Sequence, residues 1–182
     1  MNNINLIRQL QSINEPSIIS SLADVLVDCV AGGASVSFMQ PFNHVQAENF
    51  WRSLADDVAS GKRILLVAED ESGVIVGTVQ VILSQPENQP HRAEIAKMLV
   101  HRSARRQGLC AALMRAAETA AAAAGKTLLV LDTVTGGDAE RQYTKLGWQL
   151  SGCIPGYALM PEGGLCSTTI FYKKIGAEAK PN

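Results

Sequence analysis

The chain has 182 residues, of which 47% are hydrophobic, 18% charged and 5% aromatic, and sixteen Lys and Arg stand against seventeen Asp and Glu for a formal net charge of −1. That length gives one domain, residues 1–182, with a core large enough to fold unaided, and so apolar and neutral a composition excludes a disordered chain. The charge balance provides no overall field to hold nucleic acid or an acidic membrane surface, so neither is an expected partner and any anion must be met by a local cluster.

In chain order, Ile4 to Gln9 reads as a short strand. Pro16 suits a first helical turn, and Ile18, Leu22, Val25 and Cys29 with Ile19, Leu26 and Val30 repeat at helical spacing up to Gly32-Gly33. Residues 33–41 form a loop of unusual apolar content. Asn43 is a good N-cap for a second helix carrying Ala47, Phe50, Trp51, Leu54 and Val58 on one face and ending at Gly61. The period then becomes extended: Arg63 to Glu69 and Val74 to Leu83 are β-branched runs joined by Asp70-Glu71-Ser72-Gly73, a hairpin signal.

A third run, Ala93 to Val100, leads through a basic loop into a long helix, Gln107 to Ala124. A strand from Thr127 to Val134, a glycine break, a short helix through Leu146 and strands near Trp148–Cys153 and Ser167–Lys174 complete the reading. A hairpin in the first half and strands feeding helices in the second give an α/β (α+β layered) fold built on a mixed sheet.

Several signals are silent. No apolar run approaches the ~20 residues that span a bilayer. The start, Met1-Asn2-Asn3-Ile4-Asn5, has no basic segment ahead of an apolar one, so no signal peptide is read, and the cytoplasmic location expected follows from the cysteines. Cys29, Cys110, Cys153 and Cys166 are widely spaced, which favours reduced thiols over disulfides and disfavours a structural zinc. His44, His91 and His101 share no spacing that suggests a triad or a metal. Gly125-Lys126-Thr127 resembles the end of a phosphate loop, but position 120 is Ala and a helix here leads into a strand, the reverse order.

The informative segment is Val100 to Cys110. A strand that ends in a tight loop opening a helix presents unpaired backbone N–H groups and the positive end of the helix dipole, an arrangement suited to an anion. Gly108 permits close backbone approach, and Arg102, Arg105 and Arg106 add local positive charge. A solvated basic turn is the alternative on these grounds alone.

Arg105-x-x-Gly108-x-Cys110 resembles the Arg/Gln-x-x-Gly-x-Gly/Ala signature of the GNAT superfamily of N-acetyltransferases. Tyr143-Thr144-Lys145-Leu146-Gly147-Trp148 is similar to that family's Tyr-x-x-x-Gly-Phe block. Cys110 departs from the small final residue, and Gly136 stands where many members carry Asn. Residues 32–39, Arg92-Ala93-Glu94 and Pro155-Gly156-Tyr157 resemble, more narrowly, tabtoxin-resistance-type acetyltransferases, which acetylate a β-lactam amino-acid toxin.

The resemblance implies a mixed, mostly antiparallel sheet splayed between its fourth and fifth strands and flanked by helices. It implies acetyl-CoA as co-substrate, no metal, and direct transfer through a tetrahedral intermediate to a small-molecule primary amine. Cofactor contacts would come from Met98, Leu99 and Val100 and from the loop of Arg105, Arg106, Gln107, Gly108, Leu109, Cys110 and Ala111. Glu94 and Asp132 each interrupt an apolar strand, where a carboxylate is costly unless partnered or used, so both are candidates for the base; a solvent-facing Glu94 and an Asp132 in a salt bridge or cap are the alternatives. Tyr143 matches the family's tyrosine and is the candidate acid, with a core tyrosine on a short helix as the other reading. Ser35, Phe38, Met39 and Trp51 are candidates for the acceptor pocket, with packing beneath the sheet as the other reading. Acetylation of a protein N-terminus or lysine, a catalytically silent acyl-CoA-binding module, and homodimerisation all stay open.

Overall fold

A computed structural model describes residues 6–176. Seven strands form one sheet: β1 Leu6–Leu10, β2 Arg63–Glu69, β3 Ile75–Ile82, β4 Arg92–Val100, β5 Leu128–Val134, β6 Gln149–Leu159 and β7 Leu165–Lys174. Their order is β1-β2-β3-β4-β5-β7-β6, and only the β4–β5 pair is parallel. The helices are α1 Pro16–Ala31, α2 His44–Arg52, α3 Ala55–Ala59, α4 Leu109–Ala123 and α5 Asp138–Lys145, with one 3₁₀ turn at Arg102–Ala104. The mixed, largely antiparallel sheet between helical layers is the architecture expected. None of the helices described is long and apolar enough to cross a membrane.

Strand alternation sorts the core into two layers. Ile64, Leu66 and Ala68 of β2 face α4, together with Leu113, Met114, Ala117 and Ala121 of that helix, whereas Leu65 and Val67 face α1 and α2. Gly77 in β3 is required by this packing, since a Cβ there would meet Leu113 Cδ1 at 3.1 Å and the Leu99 carbonyl at 3.3 Å.

Three expectations change in detail. The first strand runs Leu6–Leu10, and Ile4 and Asn5 lie outside the described residues. The second helix is two: α2 is opened by a capping box, the Asn43 side chain accepting from Gln46 N at 3.0 Å and the Gln46 side chain accepting from Asn43 N at 2.9 Å, but it stops at Arg52. There the Ser53 hydroxyl donates to the Phe50 carbonyl at 2.7 Å, and α3 begins afresh at Ala55. The sixth strand extends beyond Cys153 to Leu159; it absorbs Pro155 and Gly156 in an irregularity of its pairing with β7 between Ile154 and Ala158, which an edge strand tolerates.

Two features of β4 position the site. Pairing with β3 passes from Ala96↔Gln80 to Leu99↔Thr78, so β4 holds one extra residue, and Lys97 in this bulge has φ +48°. Thr78 Oγ1 donates to the Lys97 carbonyl at 2.9 Å and fixes the bulge. On its other edge β4 pairs with β5 only over Arg92–Glu94 against Leu128–Val130. Beyond that the strands part, while β5 stays paired with β7 to Val134.

Candidate active site

The parting of β4 and β5 opens a cavity of about 1290 Å³, walled by β4, β5, the loop into α4, α5, the 33–39 loop and the end of β6. It reaches from one face of the sheet to the other, so groups from both helical layers meet in it.

At one end is the start of α4. Gly108 is its N-cap with φ +79°, and Arg106 also sits at positive φ, +63°, so two left-handed residues turn the chain tightly into the helix. The backbone N–H groups of residues 106–111 donate to no acceptor among the described residues. Of these residues, Arg106 and Gly108 to Ala111 line the cavity, so free amides and the start of a fifteen-residue helix stand at its wall. A Cβ added at Gly108 would meet nothing within 4 Å, so the concavity is open at the point where an anion would be cradled. Arg105 lines the cavity, its Nε donating to the Val100 carbonyl at 3.1 Å and its Nη2 lying 4.0 Å from Cys29 Sγ. Its guanidinium braces the end of β4 while Arg106 stays exposed.

Met98, Leu99 and Val100 line the middle of the cavity along the edge that β5 has left. Leu109, Cys110 and Ala111 line it from α4, and burial pushes the Cys110 thiol up to about 11, so it stays protonated. Gln107 is exposed and lies off the cavity wall.

Asp132 and Tyr143 both line the cavity. Thr168 Oγ1 lies 3.0 Å from Asp132 Oδ2 and 3.0 Å from the Thr133 carbonyl, close enough to donate to either. Tyr143 is 5% exposed, its ring centroid 6.2 Å from those of Trp148 and Phe171. Among the described residues its hydroxyl has no hydrogen-bond partner and is not one of the fully enclosed orphan atoms, Arg63 Nε and Gln80 Nε2, in keeping with its place on the cavity wall. Burial holds the phenol well above the ordinary tyrosine range, with Cys110 and Asp132 contributing in the same sense.

The two candidate carboxylates separate. Glu94 lies off the cavity wall, half-exposed, with Arg92 Nη1 3.9 Å away. Trp51 is likewise no part of the pocket: it is fully buried, and Nε1 donates to the Leu22 carbonyl at 2.9 Å, tying α2 to α1. A tryptophan on the apolar stripe of a helix goes into the core when its N–H finds a carbonyl there.

Ser35, Phe38 and Met39 do line the cavity. Ser35 Oγ donates to the Leu159 carbonyl at 2.9 Å and Gln40 N to the Pro161 carbonyl at 2.8 Å, which straps the 33–41 loop across the end of β6. Phe38 packs on Phe42 and Phe50, with centroids 4.4 and 5.2 Å away. Sequence reasoning missed Lys97 and Thr168. Lys97 had a signal, a lone cation inside an apolar strand; Thr168 had none, because only the β5–β7 register brings it to Asp132. The described residues contain no group of three His, Cys, Asp or Glu able to hold a metal ion.

Among protein-family models, that of the acetyltransferase (GNAT) family matches residues 31–148. The chain is similar in fold to a GNAT superfamily phosphinothricin acetyltransferase from Sinorhizobium meliloti solved in complex with acetyl-CoA, with a TM-score of 0.78, 15% identity, and coverage of 100% of this chain and 93% of that one. A ribosomal-protein-alanine N-acetyltransferase from Brucella melitensis matches with a TM-score of 0.76 at 21% identity, covering 93% of this chain and 99% of that one. A GCN5-related N-acetyltransferase from Kribbella flavida gives 0.75 at 20% identity, covering 93% and 97%.

Proposed function

Because the chain belongs to the acetyltransferase (GNAT) family, we propose that it transfers the acetyl group of acetyl-CoA to a primary amine on a small molecule, of the amino-acid toxin or antibiotic class. The observation that carries this reading is that β4 and β5 part beside a cavity lined by residues with free amides, Arg106 and Gly108 to Ala111, with Asp132 and Tyr143 in the same cavity.

The residues present fit acetyl-CoA. The open concavity at Gly108 and the unpaired amides suit a pyrophosphate, and Arg106 adds positive charge beside them. The unpaired edge at Met98–Val100 suits the amide-bearing pantetheine arm, whose polar groups need partners in so enclosed a place. When bound, acetyl-CoA supplies an activated acetyl thioester.

The chain's own groups divide the proton transfers. An amine is protonated near neutral pH and cannot attack until it loses a proton. Asp132, held through Oδ2 by Thr168, is the base, acting directly or through water; Glu94, off the cavity wall, is set aside. An N–H at the end of β4 would stabilise negative charge developing on the carbonyl oxygen. Tyr143 stays protonated because burial raises its phenol, so it has a proton to give the departing sulfur.

The strapped 33–41 loop favours a small acceptor over a polypeptide, since it is tied across the end of β6 and forms part of the cavity wall. The four cysteines are unpaired, in keeping with a cytoplasmic enzyme, and we take residues 1–182 as one domain.

Tyr143→Phe tests the assignment with one atom. The ring and its contacts with Trp148 and Phe171 stay, so melting temperature and acetyl-CoA affinity remain close to wild type. Turnover falls by about 10²- to 10⁴-fold, the span of a positioned general acid. Undiminished kcat with intact cofactor binding would return Tyr143 to a packing role.

A further inference from the structure

Lys97 lines the same cavity, and the proposed chemistry gives it no task. Its position is built rather than incidental. The β4 bulge puts it at φ +48°, uncommon for a residue with a side chain, and the Thr78 hydroxyl pins its carbonyl. The ammonium lies 6.0 and 5.6 Å from the ring centroids of Phe38 and Phe50, on the acceptor side of the cavity. Its hydrogen-bond partner is the neutral Ser37 hydroxyl at 3.3 Å. Among the described residues no carboxylate comes within 4.0 Å of it. Burial holds its pKa below the ordinary lysine value; Asp132 and Glu94 act against that from a distance, and Arg63 reinforces it. A partly desolvated cation with aromatic walls and no counter-ion is costly in a free protein. A ligand that brings an anion there recovers much of that cost.

We propose that Lys97 is a specificity-determining residue that anchors a carboxylate of the acceptor, so that the preferred substrates carry an anion as well as an amine. This deepens the reading of the site as an amine acetyltransferase and rests on it. Asp132 and Lys97 then divide the two charges of a zwitterion, the carboxylate of the protein facing the ammonium of the acceptor and the ammonium of the protein facing its carboxylate. Such pairing discriminates strongly, because an acceptor lacking the anion leaves Lys97 in its desolvated place unpaired.

The test compares amino acids with their own primary amides, matched pairs that differ at the carboxylate alone. Wild-type protein should favour the carboxylate member in kcat/KM by about 10- to 100-fold, with the difference mainly in KM. Lys97→Met should collapse that ratio towards one, and Lys97→Arg should restore most of it. A lysine that merely clamps the Phe38 loop would lower the melting temperature and weaken both members of each pair alike, leaving the ratio unchanged, and that result overturns the proposal. If wild type acetylates neither member of any pair, the amine-transfer reading fails. Calorimetric binding of the same pairs then decides for Lys97: preferential binding of the carboxylate member, lost in Lys97→Met, supports the anchor, and equal or no binding overturns it.

Discussion

Asp132 and Glu94 are chemically alike and both interrupt apolar strands, yet they end in different surroundings. Glu94 is in the last register position where β4 and β5 still pair, whereas Asp132 lies two residues beyond that point on β5, where the strands have parted. Which carboxylate reaches the cavity is thus decided by where the pairing stops, and no property of either residue's own segment reports it. Asp132→Asn should lower turnover by about 10²-fold or more near neutral pH and by much less above pH ~10, where the acceptor presents free amine without help. Glu94→Gln should leave the pH–rate profile as it is. Initial rates across pH check both, and an Asp132→Asn profile parallel to wild type would remove it as base. The raised phenol of Tyr143 adds a sign to the same profile: the proton donor persists through the ordinary tyrosine range, so wild-type activity should not decline at pH ~10. Trp51 shows the limit at this scale, since an aromatic residue on a helical stripe reads equally as pocket or core, and only the Leu22 carbonyl within reach of its indole decides for core.

Among elements, those with strong periodicity were legible and their ends were not. The β2–β3 hairpin could be read because Asp70 supplies the turn chemistry locally, Oδ1 accepting from Ser72 N at 2.8 Å and Val74 N at 3.0 Å. The break between α2 and α3 was not legible, because the apolar stripe from Ala47 to Val58 continues across the bond from the Ser53 hydroxyl to the Phe50 carbonyl. Strand β6, read near Trp148–Cys153, runs on to Leu159, because a sheet edge accommodates Pro155 and Gly156. The tight turn into α4 was legible since its signal, a glycine after a basic turn at a helix start, is contained in six consecutive residues. Gly108→Val tests that element. It puts a β-branched side chain at φ +79° and into the open concavity, and should weaken acetyl-CoA binding by at least about tenfold in a protein that still folds. Calorimetry showing unaltered affinity in the folded variant would contradict the assignment of the loop.

At the scale of the whole molecule, the sheet does the organising. Its antiparallel pairs hold β1 to β4 together as one block and β5 to β7 as another, joined by three parallel register positions, so the seam between them is the place where a cavity can open without breaking either block. Helix α1 covers one face near that seam and α4 the other, which brings groups from distant parts of the chain, the 33–39 loop, β4, α4, β5 and α5, to one opening. Element order along the chain was enough to suggest this arrangement, but the acceptor side depends on tertiary straps such as Ser35 to Leu159, separated by more than half the chain, and on a bulge that no local pattern announces. The central claim is that the seam brings acetyl-CoA and a small amine together for direct transfer. Release of CoA thiol from acetyl-CoA, followed with a panel of small primary amines and, in parallel, with peptides bearing a free N-terminus or lysine, measures it most directly. We predict thiol release that depends on a small amine and exceeds that with any peptide. Acetyl-CoA bound tightly with no amine-dependent release, or faster release with a peptide, would contradict the account.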